Sequence, residues 1–275
     1  MNDSANDRPP PRLPISRVLP AERFVSGTSN VKDTMAISRR RYNRAMTTVE
    51  AARVPAPDRS TSAGPALVVL GTSGHAREIA WIGESTGHPL LGCLGPPLAT
   101  EAARLPAPWL GEDDWLDSAD PSVRYLIGVG DGSVRARIDR LAGRNGRRAG
   151  SLVSPAATVG GRCSLGDGSI LWPGAILTTD VRLGRHVHVG TGATVSHDTE
   201  IDDFATLLPG CRIAGNSRIG RGATIAAGAT VIDNISIGKN VLVGAGAVVV
   251  RDVPENVVVV GVPARILRSD RPAVH

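Results

Sequence analysis

The sequence predicts a three-sided parallel β-helix, preceded by a small α/β domain and a polar tail, and three observations carry that expectation. From residue 153 an aliphatic residue recurs every six positions, from Val153, Val159 and Leu165 through to Val243 and Val249, seventeen in succession. Were about a third of residues Val, Ile or Leu, chance would give such a run at odds on the order of one in a hundred million, so the segment is an internal repeat. Four places after each aliphatic comes a residue that is mostly small, as in Ala157, Cys163, Ser169, Ala175, Ala193 and Ala205. The segment in front of the repeat alternates apolar runs, Gly-rich turns and helical stretches instead.

In chain order, the first element is the tail. Residues 1–64 hold 11 Lys and Arg against 6 Asp and Glu, whereas residues 65–275 hold 20 of each, so the formal charge of +5 belongs to the tail. It is rich in Pro, Ser and Arg, shows no sustained apolar periodicity and reads as disordered; Met35 and Met46 are alternative starts within it. The folded part is neutral, which removes the gathered basic face that nucleic-acid binding needs. No secretory apolar core and no 18-residue apolar run occur, so membrane insertion is excluded and a cytoplasmic location is expected. Cys93, Cys163 and Cys211 are odd in number and widely spaced, which fits a reducing compartment without a disulfide framework or zinc cluster.

Residues 65–150 read as a small Rossmann-like domain. "PALVVLG" is a strand, "GTSGHA" a turn, "REIAWIGESTG" a helix ending at Gly87, and "LLGCLG" a second strand; "VRYLIGVG", "DGS" and "VRARIDRLAGRNG" repeat the order. That alternation argues a parallel sheet of βαβ units with a ligand at the carboxyl ends of its strands. The turn Gly71-Thr72-Ser73-Gly74 is not a full dinucleotide fingerprint, and no acidic residue follows to bind a ribose diol. Its backbone N–H groups and the following helix N-terminus suit an anion such as a diphosphate.

In residues 151–250, two inward positions per six residues, one large and one small, describe short strands joined by sharp corners. Three strands make an 18-residue coil, and coils stack at about 4.8 Å around an aliphatic column. Cys163 and Cys211 take the small inward slot and are expected to be buried packing thiols; His186 and His188 take outward slots, where a solvated or interface role is expected. His197 also points outward, at a corner, followed directly by Asp198, and one coil further on stands Gly215. The bare backbone of Gly215 is expected to leave room above the imidazole.

Residues 153–250 resemble the hexapeptide-repeat acyltransferases, whose left-handed β-helices assemble as trimers. Within that superfamily the chain resembles the sugar acetyltransferases of sialic-acid O-acetyltransferase and bacterial nucleotide-amino-sugar N-acetyltransferase type, enzymes of polysaccharide biosynthesis. The resemblance implies a left-handed parallel β-helix, a homotrimer, acetyl-CoA as co-substrate and no metal. It maps the catalytic base onto His197, with Asp198 as the partner that orients it and raises its basicity. Relatives place a second, coenzyme-contacting His nine residues on, where this chain has Thr206; His188, one coil below that position, is a substitute. Contacts to the pantetheine arm map onto Gly215, Ala227 and Ala245, and "VVVVGVPARIL" within residues 251–275 resembles the closing segment beside the coenzyme. In the front domain the nucleotide-sugar contacts map onto Gly71, Ser73, Gly74 and His75, with Gly130 and Asp131 from a second turn. The acidic pair of some relatives is replaced by "LGPP", which leaves the nucleotide and the sugar open.

The reading is thus N-acetylation of a nucleotide-linked amino sugar by direct transfer, because the cysteines fall in packing positions and no Ser sits in a nucleophile elbow. Three alternatives stand beside it. O-acetylation of a sugar or sialic acid would use the same base. A γ-type carbonic anhydrase would bind zinc through His186, His188 and His197, although the ligand spacing of that family is not met. A non-catalytic scaffold would use the prism only to trimerise the front domain.

Overall fold

The structure is a computed structural model that describes residues 64–96, 105, 107–112, 114–144 and 146–269. The expected disorder of the tail falls on residues outside that set, as do the last six residues of the closing segment.

The front domain is a five-stranded parallel sheet in the order β3-β2-β1-β4-β5, with β1 at Leu67–Leu70, β2 at Leu90–Leu94, β3 at Trp109–Gly111, β4 at Arg124–Ile127 and β5 at Arg148–Ala149. The sequence reading anticipated β1, β2 and β4; β3 and β5 are short and carry little apolar signal. All four residues of β1 are buried because the sheet is covered on both sides. Leu67 and Val69 pack with helix α1 (Gly74–Ser85) and with Leu152, Ile170 and Trp172 of the following domain. Val68 and Leu70 pack instead in a second core with Leu116 of α2 (Trp115–Ser118) and Ala142 of α3 (Gly132–Arg144).

From Leu152 the chain winds into a three-faced parallel β-helix. From Leu152–Val153 to Val248–Val249 every strand is two residues long, and up to Thr230–Val231 each pairs with the strand 18 residues on, as in Ile176↔Thr194 and Leu177↔Val195. One face runs through Leu152–Val153, Ile170–Leu171, His188–Val189 and Thr206–Leu207; the second through Thr158–Val159, Ile176–Leu177 and Thr194–Val195; the third through Ser164–Leu165, Arg182–Leu183 and Glu200–Ile201. The corner between the second and third faces holds Arg162, Asp180, Asp198, Asn216 and Asn234, each in the left-handed region with φ between 55° and 60°. Asn and Asp tolerate that conformation, and the corner between the first and second faces uses Gly for it instead, at Gly174, Gly192, Gly210, Gly228 and Gly246.

The aliphatic column is as expected from Leu171 upward, where Leu177, Val189, Val195, Leu207, Ile225 and Val243 are fully buried. Its start is not. Val153 and Val159 are exposed and Leu165 is half-buried, because the first coil has no coil beneath it. For the same reason Cys163 is only partly buried, against the expectation, whereas Cys211, mid-prism, is fully enclosed. Burying one aliphatic side chain contributes roughly 1.5–3 kcal/mol, so each complete coil supports the next.

The α/β domain sits on the first face. Ile79 and Ile82 of α1 meet Leu152, Ile170 and Trp172, and Trp172 Nε1 donates to Glu78 at 3.1 Å. At the far end Val258–Val260 extends the same sheet and turns back as the antiparallel strand Arg265–Arg268. No helix among the described residues is long and apolar enough to cross a membrane.

Candidate active site

His197 stands at the corner between the two uncovered faces, directly opposite the face that carries the α/β domain. Its side chain is 60% exposed, and its Nδ1 lies 2.8 Å from Asp198 Oδ2. Asp198 reaches back because its backbone is left-handed, φ 56°, while its N–H donates to the Thr179 carbonyl one coil below at 3.3 Å. A carboxylate at Nδ1 selects the tautomer with the proton on that nitrogen and leaves Nε2 free to accept one. Gly215 serves this ring, since a Cβ there would stand 2.6 Å from its Cε1. The expectation that Gly215 leaves room above the imidazole is therefore corrected: the imidazole of His197 itself takes that room, and the absent side chain is what allows the ring to lie against the coil above.

The other outward histidines are buried. His186 and His188, expected in solvated or interface roles, take the interface one: they are 0% and 1% exposed, because the α/β domain covers the face and the adjoining corner that present them. His188 Nδ1 lies 3.0 Å from Nε2 of His75, and both rings pack against Trp172. His186 Nε2 donates to Asp139 at 2.8 Å, and its ring stacks on Phe204. His188 Nε2 and His186 Nδ1 have no hydrogen-bond partner among the described residues. Burial, helped by the nearby Arg135 cation, lowers His75 to about 4 and holds His188 well below the ordinary histidine range.

Arg135 itself is fully buried and ties α3 to the prism. Its Nη2 donates to Phe204 O at 2.8 Å, Ala205 O at 3.1 Å and Thr206 Oγ1 at 2.9 Å, its Nε to His186 O, and its Nη1 to Val129 and Gly130 carbonyls. Burial brings its pKa down to about 9, with Asp131 opposing the shift. Gly132 lets this helix start touch the prism, since a Cβ would strike the Phe204 carbonyl. Thr206, expected at the coenzyme, is 2% exposed and gives its hydroxyl to Gly130 O at 3.1 Å; it is a junction residue here, and so is His188. His75, expected at the nucleotide-sugar, likewise turns its Nε2 onto the prism.

Ser73, Gly74 and Gly130 are exposed at the carboxyl ends of β1 and β4, the neighbouring strands at which the sheet order reverses. The two turns there differ. Asp131 Oδ1 caps the start of α3 through Ser133 N at 2.8 Å and Val134 N at 3.2 Å, whereas Ser73 makes no side-chain cap on α1, whose first turn holds no acid. Only the α1 turn thus leaves its N–H groups for an anion. Ala227 and Ala245 are exposed along the corner between the first and second faces, joined by Gly246 N to Ala227 O at 3.0 Å. That corner is a different one from the corner of His197 and Gly215, so a single prism does not bring the four together.

A family model for the bacterial transferase hexapeptide (six repeats) matches residues 216–251. The acetyltransferase domain of PglB from Neisseria gonorrhoeae is similar at 31% identity and a TM-score of 0.69, with 74% of this chain and 100% of that one covered. The chain is a hexapeptide-repeat sugar acetyltransferase. PerB from Caulobacter crescentus, solved in complex with CoA and GDP-perosamine, is similar to this acetyltransferase at 30% identity and a TM-score of 0.69, over 74% of this chain and 97% of its own. WeeI from Acinetobacter baumannii shares the fold at 24% identity and a TM-score of 0.56, over 74% and 99%. No curated protein sequence matches. Among the described residues of the acetyltransferase no group of three metal-ligating side chains converges; His186 and His188 are bonded beneath the α/β domain and His197 is across the prism from them.

Sequence reasoning missed the junction, above all Arg135. A signal was present: Ile170 and Trp172 are apolar residues in outward slots, which marks that face as covered.

Proposed function

We propose that the protein transfers the acetyl group of acetyl-CoA directly to the amine of a nucleotide-linked amino sugar, with His197 as general base. The observation that carries the reading is the exposed His197–Asp198 pair at 2.8 Å, with the ring seated against Gly215 of the coil above. Nε2 takes a proton from the amine as nitrogen attacks the thioester carbonyl; Asp198 steadies the imidazolium; the C–S bond then breaks, and the imidazolium returns its proton to the departing thiolate. Transfer is direct, without an acyl-enzyme: Cys93 and Cys211 are buried, with burial raising their thiols to about 11 and about 12, and the thiol of Cys163, in the first coil, turns to the Gly161 and Thr178 carbonyls. Support comes from the PglB domain, solved with acetyl coenzyme A, and from PerB, solved with GDP-perosamine.

The α1 turn at Ser73 and Gly74, with Gly130 beside it, holds the diphosphate of the sugar nucleotide. This turn belongs to the domain on the first face, whereas His197 lies at the opposite corner. The active site is therefore completed between copies of the chain in a homotrimer, with Ala227 and Ala245 of one prism lining the coenzyme beside His197 of the next. Two measurements test the proposal. Free thiol release is followed with acetyl-CoA and a panel of UDP-, dTDP- and GDP-amino sugars and sialic acid, and turnover on an amino sugar is expected; turnover on sialic acid alone would establish O-acetylation instead. Sedimentation is expected to show a trimer, and a fully active monomer overturns the shared site.

A further inference from the structure

We infer that Arg162 and Asp180, stacked below the His197–Asp198 pair on the same corner, are positioning residues: Asp180 occupies the Arg162 guanidinium and so keeps Asp198 for the imidazole. The inference deepens, and rests on, the reading of His197 as base. Arg162, Asp180 and Asp198 stand 18 residues apart in identical left-handed conformations, at φ 59°, 55° and 56°, so their side chains leave the prism in register. Coils are separated by about 4.8 Å, which brings an arginine two coils down within reach of the upper carboxylate. In the structure it goes no further than Asp180. Arg162 Nε donates to Asp180 Oδ1 and Nη2 to Oδ2, each at 2.6 Å, the planar two-point pairing at which Arg excels. Thr179 Oγ1 donates to Asp180 Oδ2 at 3.1 Å and fixes the lower carboxylate further.

The imidazole is faced by few other charges. On its own coil stands Asp198; below it are Thr179, Asp180 and Arg162; above it are Gly215 and Asn216, then Asp233, which accepts from Asn234 at 2.6 Å. On the flanking faces Glu200 is paired with Arg182 at 2.8 Å, and Arg212 turns to the Gly210 carbonyl. Asp180 first, and Asp198 after it, favour the charged guanidinium of Arg162. Removing Asp180 therefore leaves the guanidinium with Asp198 as the next carboxylate on the corner, in competition with Nδ1–H. Removing Arg162 leaves a second, unneutralised carboxylate beneath the imidazole. The two losses act with opposite sign on imidazole basicity.

The test is the pH profile of kcat for the wild type, Arg162→Gln, Asp180→Asn and the double variant, with His197→Ala as reference. Because the base must be neutral to accept a proton, the acid limb of the profile follows the imidazole. Arg162→Gln is expected to move that limb up by roughly 0.3–0.7 pH units, and Asp180→Asn to move it down by a similar amount. Asp180→Asn is also expected to lower kcat roughly threefold to tenfold with KM unchanged, short of the loss on removing the base, and the double variant to recover most of it. A merely structural ion pair would move stability without opposite limb shifts. Limbs that do not move, or that move together, overturn the inference while leaving the base reading intact; wild-type turnover of His197→Ala overturns both. Arg162 is an exposed side chain, so its variant gives the decisive limb shift even if Asp180→Asn folds poorly.

Discussion

His188 and His197 lie nine residues apart on one prism, both in outward slots, and they have opposite chemistry. His188 sits on the face beneath the α/β domain, 1% exposed, bonded to His75 and held neutral. His197 sits at the corner opposite, exposed, with a carboxylate on Nδ1. The hexad repeat sets which way a side chain points, and the docked domain decides whether it meets water or protein. A reactive group needs access to its substrate, and only one of the two has it.

The comparison is broken most severely by exchanging roles. His197→Ala is expected to lower kcat by roughly 10²–10⁴ while leaving thermal unfolding almost unmoved, since the ring contributes to no core; a stability loss with retained turnover would mean that the exposed histidine is the structural one. Arg135→Met does the reverse. It strips hydrogen bonds from Phe204, Ala205, Gly130 and Thr206 in a buried junction, and a loss of about 3 kcal/mol is expected in urea unfolding, together with protease access between the domains.

Acid sharpens the same contrast. The folded pKa of His75, about 4, lies below the unfolded value of 6.5, so the unfolded chain binds the extra proton, and stability falls as pH drops from 6.5 towards 4. His75 alone accounts for up to about 3 kcal/mol across that window, and His188 acts in the same direction. Asp139 is depressed: burial would raise it, but hydrogen bonds from His186 and Tyr125 outweigh that, so its stabilisation is kept above the unfolded carboxylate pKa and is lost only at lower pH. Unfolding measured in urea between pH 4 and 7 reads the slope, which His75→Gln is expected to flatten. The smallest effect is expected of Gly215→Ala. Its methyl would displace the His197 ring but leave the acid and base chemistry in place, for a fall in kcat of about tenfold without loss of the fold.

Much of this molecule is legible from residue spacing. The six-residue period placed Leu177, Val195 and Val243 in the column and His197 at a corner with Gly215 above it, because in a β-helix the direction of a side chain depends only on its position in the hexad. The strand, Gly turn and helix order likewise located β1, α1 and β4, with Ser73, Gly74 and Gly130 at their carboxyl ends. An outward hexad slot left open whether a side chain meets water or an interface, and position alone did not decide it: His186 and His188 are buried beneath the α/β domain and Thr206 lies at the same junction, while Val153 and Val159, read as inward, are open to water. Direction is local and periodic, so a single sequence carries it. Coverage is not, because it depends on which face a second domain occupies, and that was settled by α1 packing on Ile170 and Trp172 and by one buried arginine reaching from α3 to carbonyls some seventy residues away along the chain.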